Sequence, residues 1–91
     1  MTLHTRSHMA EVIVDVQRRA ARAQARHGGF ASAHEAYAVL KEEVEEYWAE
    51  VKKRDHDRDP QRMYQELLDV AAVALRAAEQ LRAALGGQVV A

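Results

Sequence analysis

Apolar residues recur at helical spacing in three stretches of the chain, with short polar segments between them. In the first stretch Met9, Val12, Ile13, Val16, Ala20 and Ala23 follow the three-and-four spacing of one helix face. This predicts a helix from about Ser7 or His8 to Arg26. Gly28-Gly29 ends it, because glycine accepts the left-handed backbone that a helix C-terminus favours. In the second stretch Ala36, Tyr37, Leu40, Val44, Tyr47, Trp48 and Val51 form the stripe. That helix opens on a capping box, in which Ser32 accepts from the Glu35 N–H and the Glu35 side chain reaches back to Ser32. It runs to about Arg54 and is followed by the polar turn Asp55-His56-Asp57-Arg58-Asp59. Asp59-Pro60 starts the third helix, with aspartate as N-cap and proline at the first helical position. Its stripe is Met63, Leu67, Val70, Ala71, Ala74, Leu75, Ala78, Leu81 and Leu85. Gly86-Gly87 closes it, and the tail Gln88-Val89-Val90-Ala91 is expected to fray. The short link between the second and third helices predicts an antiparallel hairpin, with the first helix added to it.

Composition supports an all-α class. Apolar residues are 48% of the chain and aromatics 5%, and much of the apolar content is alanine, which suits closely packed helices. One proline and four glycines supply few turns. The 91 residues make one domain with a thin core. A three-helix subunit of this kind cannot cover its own apolar faces, which predicts at least a homodimer built as a helical bundle. The net charge of −1 gives no reason to expect a nucleic-acid polymer as partner. The absence of cysteine excludes disulfides, thiol catalysis and thiolate-bound zinc. No apolar run approaches the ~20 residues needed to span a membrane. The N-terminus lacks the apolar stretch of a signal peptide, so a cytoplasmic protein is expected.

The polar faces carry the chemistry. Glu43, Glu46 and Glu50 lie on one flank of the second stripe, at spacings where like charges repel by a few tenths of a kcal/mol per pair. Glu45 has Lys41 as a neighbour at four residues, and Glu50 has Lys53 and Arg54, whereas Glu42, Glu43 and Glu46 have no cation at helical spacing. On the third helix Glu66 has Arg62, in the less favourable order, and Asp69 has no cation at three or four residues. At 1.5 Å per residue, Glu46 and Glu66 sit roughly 10–12 Å from the turn, and Glu43 and Asp69 roughly 15–16 Å. The two pairs are therefore level across the hairpin. For the second helix alone a solvated acidic face is the simpler reading, and the level match with Glu66 and Asp69 reverses that preference. Four carboxylates beside a core repel strongly unless protonated or bound to metal. An all-oxygen set selects a hard cation, Mg²⁺, Mn²⁺ or Ca²⁺. Because Mg²⁺ commonly takes further ligands from substrate phosphates, phosphoryl or nucleotidyl chemistry with water as nucleophile is expected.

Glu42-Glu43-Val44-Glu45-Glu46, nineteen intervening residues and then Glu66-Leu67-Leu68-Asp69 resemble the EExxE…ExxD signature of the MazG-like, all-α NTP pyrophosphatase superfamily. The surrounding HEAYAVLKEEVEEYWAEVKK and ELLDVAAVALRAAE are similar to its short, phage-type branch, and the resemblance covers about residues 30–81. It implies a Mg²⁺-dependent enzyme that converts a (d)NTP to (d)NMP and pyrophosphate, in the manner of nucleotide-pool house-cleaning, with Mn²⁺ as a possible substitute. It implies Glu43, Glu46, Glu66 and Asp69 as metal ligands, and Glu42 as a base or as an acceptor behind them. Members of the family work as dimers or tetramers, often with a fourth helix, whereas this chain has room for three substantial ones.

Other residues sharpen or limit this expectation. Arg76, seven residues after Asp69 on the same face, is a candidate phosphate-binding cation, with a surface arginine as the equal alternative. Arg18, Arg22 and Arg26 form a basic ridge on the first helix, most simply a solvated one. Trp48 and Tyr37 are expected in the core or an interface, and Phe30 either packs in its loop or covers a base. The histidines lack HExxH-type spacing. Asp55-x-Asp57-x-Asp59 with Glu66 at the twelfth position mimics a calcium loop, but Pro60 stands where that loop needs glycine. The competing function class is a non-catalytic helical module that dimerises through its stripes and retains a metal or nucleotide site without turnover.

Overall fold

The structure, a computed structural model, describes residues 7–86. It contains α1 (Met9–His27), α2 (Ala33–Val51), a 3₁₀ turn (Asp55–Asp57) and α3 (Pro60–Ala84), with no strand among the described residues. Gly87 and the tail expected to fray lie outside the described residues. The all-α class and the three helices agree with the sequence reading, and α2 and α3 are unbroken.

Local chemistry sets the boundaries. Gly28 ends α1 with φ 72°, a backbone that L side chains resist, and its N–H caps the Gln24 carbonyl. Ser32 Oγ accepts from Glu35 N at 3.0 Å, while the Glu35 carboxylate accepts from Ala31 N at 3.2 Å. The return bond of the expected capping box therefore lands one residue earlier than Ser32. α2 stops at Val51, short of Arg54, because Arg58 folds back and donates from Nε to the Val51 carbonyl at 2.7 Å. Asp59 caps α3, accepting from Gln61 N and Arg62 N at 3.0 and 3.3 Å.

α3 is the shared element. It packs against both α1 and α2, which do not approach each other. α2 runs back along α3 from the turn. α1 runs parallel to α3, as the successive pairs Asp15–Tyr64, Arg19–Asp69 and Gln24–Arg76 record. Among the described residues the buried apolar ones are Ala20, Phe30, Leu68, Ala72 and Val73, and no large side chain is fully buried. This turns the expected α3 stripe. Leu67, Leu75, Leu81 and Leu85 are exposed, and the inward line is Leu68, Ala72 and Arg76 with Val73. A helix clasped on two flanks buries two lines of residues, and the Leu67 line faces neither neighbour. Tyr37 and Trp48 also leave the subunit core and stand exposed on α2. No helix is long and apolar enough to cross a membrane among the described residues.

The α1–α2 connection is tied down from α3. Arg76 donates to the Gly28 carbonyl at 2.9 Å and to Gln24 Oε1 at 3.3 Å, and its guanidinium lies 4.6 Å from the centre of the Phe30 ring. Gln80 brackets the Phe30 backbone, accepting from its N–H at 2.9 Å and donating to its carbonyl at 2.7 Å. A Cβ at Gly29 would fall 3.0 Å from Gln80 Oε1, a tight contact that the Gln80 amide would have to ease by a few tenths of an ångström. Phe30 is accordingly a packed loop residue.

Candidate metal centre

α2 and α3 bring Glu43, Glu46, Glu66 and Asp69 together, with one carboxylate oxygen from each lying within 4.8 Å of the others. The four come from adjacent turns, Glu43 and Glu46 on one helix and Glu66 and Asp69 on the other, which is the level placement expected from counting residues away from the turn. Glu46 is exposed, while Glu43 and Asp69 are half-buried. The Glu66 side chain keeps 12% of its exposure. Glu42 is exposed on α2 and stands outside the four.

The cluster is short of positive charge. Arg62 approaches Glu66 at 3.7 Å, as the sequence spacing suggested, and Arg19 of α1 meets Asp69 at 2.5 Å. Among the described residues Glu43 and Glu46 have no cation within ion-pair distance. Burial, followed by repulsion from Glu46, Asp69 and Glu66, pushes the Glu43 carboxyl up to about 7. Glu66 is raised too, by burial first and then by Glu46 and Asp69. Glu43 Oε2 and Glu66 Oε2 are buried without any hydrogen-bond partner. Two orphaned buried acceptors among four convergent carboxylates are a donor set that a hard divalent cation satisfies. Opposite ligands of an octahedral Mg²⁺ stand about 4.2 Å apart, twice the ~2.1 Å bond, so a spread of 4.8 Å closes with a small side-chain rotation.

Glu50 does not share this site. It is buried at the hairpin turn, where it pairs with Lys53 at 2.7 Å and Arg62 at 3.8 Å and accepts from Asp59 N at 2.9 Å. The Lys53 bond, with the Asp59 N–H behind it, holds its carboxyl below the usual range. Three acids share a flank of α2 in sequence, yet one is a structural tie of the turn and two belong to the cluster. Arg76 is likewise turned inward. Its guanidinium is engaged by Gly28, Gln24 and Phe30, so phosphate contact requires it to leave partners it already holds. Arg19, which the sequence did not single out, is the cation that touches a cluster carboxylate from outside the hairpin.

A pH signature follows. The folded-state value of Glu43 lies above the ordinary 4.5, so between the two the folded protein holds a proton that the unfolded chain has lost. The contribution to stability is complete below the unfolded value and disappears as pH rises through about 7. Calorimetry in chelator should give a melting temperature that falls from about pH 5 to about pH 8. Glu43→Gln should flatten the fall, and Mg²⁺ should oppose it by favouring the deprotonated form. An equally steep fall in the variant would refute Glu43 as its source.

Comparison with protein-family models, with curated proteins and with solved structures finds no match for this chain.

Proposed function

We propose that this chain is a Mg²⁺-dependent nucleoside triphosphate pyrophosphohydrolase of the MazG-like kind, acting in the cytoplasm on a (d)NTP to give (d)NMP and pyrophosphate. The observation that carries this reading is the convergence of Glu43, Glu46, Glu66 and Asp69 around two orphaned buried carboxylate oxygens. The EExxE…ExxD resemblance adds the substrate class. Glu43, Glu46, Glu66 and Asp69 would hold the metal, Mg²⁺ or in its place Mn²⁺. When bound, such an ion polarises phosphoryl oxygens and makes water more acidic. Water adds across the α–β phosphoanhydride, the bridging P–O bond breaks, and pyrophosphate leaves. Glu42, exposed on α2 next to Glu43 in the chain, is the carboxylate assigned to accept the proton of the water.

Pyrophosphate release from a panel of canonical and damaged (d)NTPs, run with Mg²⁺ and with chelator, tests the proposal. Turnover of at least one member with Mg²⁺ and none in chelator is expected. Absence of turnover across the panel, with Mg²⁺ and with Mn²⁺, would remove the catalytic reading. The second reading, a helical dimerisation module without turnover, draws on a separate observation, the row of large apolar side chains left exposed on all three helices.

A further inference from the structure

Arg19 reaches the cluster from the one helix that supplies it no carboxylate. Its Nη1 donates to Asp69 Oδ1 at 2.5 Å and lies 3.5 Å from the Gln65 carbonyl, and its Nη2 donates to Gln65 Oε1. The guanidinium thus straddles one turn of α3, fixed on an uncharged residue as well as on the carboxylate. Both partners of the ion pair are partly shielded, with side-chain exposures of 24% for Arg19 and 32% for Asp69. One turn earlier, Tyr64 donates its hydroxyl to Asp15 at 2.5 Å and ties the same two helices without touching the cluster. Holding α1 against α3 therefore does not by itself require a cation at Arg19.

Asp69 does require one. One of its oxygens lies within 4.8 Å of an oxygen from each of three other carboxylates, and a free aspartate there would rotate away from them to relieve repulsion. We infer that Arg19 is a positioning residue of the metal centre, occupying Oδ1 of Asp69 so that the carboxylate stays turned toward Glu43, Glu46 and Glu66. The inference rests on the metal-site reading given above. Two effects of opposite sign compete at Arg19. Its charge repels an incoming divalent cation, so a purely electrostatic role predicts tighter metal binding once it is removed. Its hydrogen bond orients a ligand, and losing such a partner weakens metal affinity by roughly 10–100-fold. The planar fork spans Gln65 and Asp69 at once, which a lysine ammonium cannot reproduce.

The test is calorimetric titration of the full chain with Mn²⁺ and with Mg²⁺, without nucleotide, alongside circular dichroism. Arg19→Met should keep its helices and bind metal about 10-fold more weakly or worse. Arg19→Lys should recover part of the loss. Tyr64→Phe, which loosens the same helix seam, should stay within about twofold of wild type, as expected of a residue that touches no ligand. Equal or tighter binding by Arg19→Met overturns the inference while leaving the metal site standing, and so does an equal loss in Tyr64→Phe. A wild type that binds neither ion overturns the site and the inference together. Should Arg19→Met fail to fold, Gln65→Leu removes the brace beneath the guanidinium and leaves every charge in place. It should weaken binding in the same direction, and unchanged affinity overturns the inference.

Discussion

Glu43→Gln and Glu46→Gln should each nearly abolish pyrophosphate release while leaving the metal-free fold as stable as before, or slightly more so. Loss of a direct ligand should exceed the roughly 10–100-fold penalty seen when a group behind a ligand is removed. Stability moves the other way because neither carboxylate has a cationic partner to lose among the described residues. Glu46 is exposed, so its relief is worth a few tenths of a kcal/mol. Glu43 is half-buried with an orphaned oxygen, and its amide should give the larger gain above neutral pH. Asp69→Asn should differ from both, being inactive and also less stable by about 1 kcal/mol, because a partly shielded ion pair with Arg19 is broken. Melting with and without Mg²⁺ completes the comparison. At a hundredfold excess over its dissociation constant the ion should stabilise wild type by about 2.7 kcal/mol through linkage, and the variants by much less. Full activity in either glutamine variant, or a much lower melting point without metal, would show that these groups are not metal ligands.

Self-association is the second large effect expected. Along α3 and its C-cap the residues Leu67, Ala71, Ala74, Ala78, Leu81 and Leu85 repeat at alternating steps of four and three, the period of a coiled-coil seam. The leucines of that seam face solvent in the single subunit, Leu81 at 64% exposure. Trp48 on α2 is 56% exposed, which is unusual for the chain's one tryptophan unless a second copy covers it. Sedimentation at micromolar concentration should show a dimer or larger species. Leu81→Glu, which sets a charge into the seam, should shift it to monomer and lower the melting temperature. A compact, stable wild-type monomer would rule the assembly out.

The features legible in the sequence were those decided within a few residues. Gly28, Ser32 with Glu35, and Asp59-Pro60 announce their roles because the backbone groups they satisfy are their immediate neighbours. The level match of Glu43 and Glu46 with Glu66 and Asp69 was legible for a related reason, since a tight hairpin makes distance from the turn a shared coordinate. The rotation of α3 was not. Its apolar residues lie on more than one face, with both the Leu67 and the Leu68 lines available, and the choice depends on where two neighbours dock. Arg19 was hidden in the same way, because its partners lie 46 and 50 residues away and nothing on α1 distinguishes it from Arg18 or Arg22. The fate of Glu50 turned on the backbone N–H of Asp59 and on Arg62, both beyond the turn, which no helical spacing on α2 reveals.

That α1 and α2 both lean on α3 and not on each other bears on how the chain acquires its structure during synthesis. When the ribosome has released everything before Pro60, both earlier helices are present but neither has a surface to dock on. A helix of 19 residues draws most of its stability in a protein from the packing of its apolar face, which neither yet has. At about 5–20 residues per second, the 25 residues of α3 take roughly one to five seconds more to appear. Through that interval the nascent chain has secondary propensity without tertiary order, and its acidic cluster is only half assembled. Arrival of α3 then supplies both docking surfaces at once, so α1 and α2 are expected to gain tertiary order together, once α3 has been made.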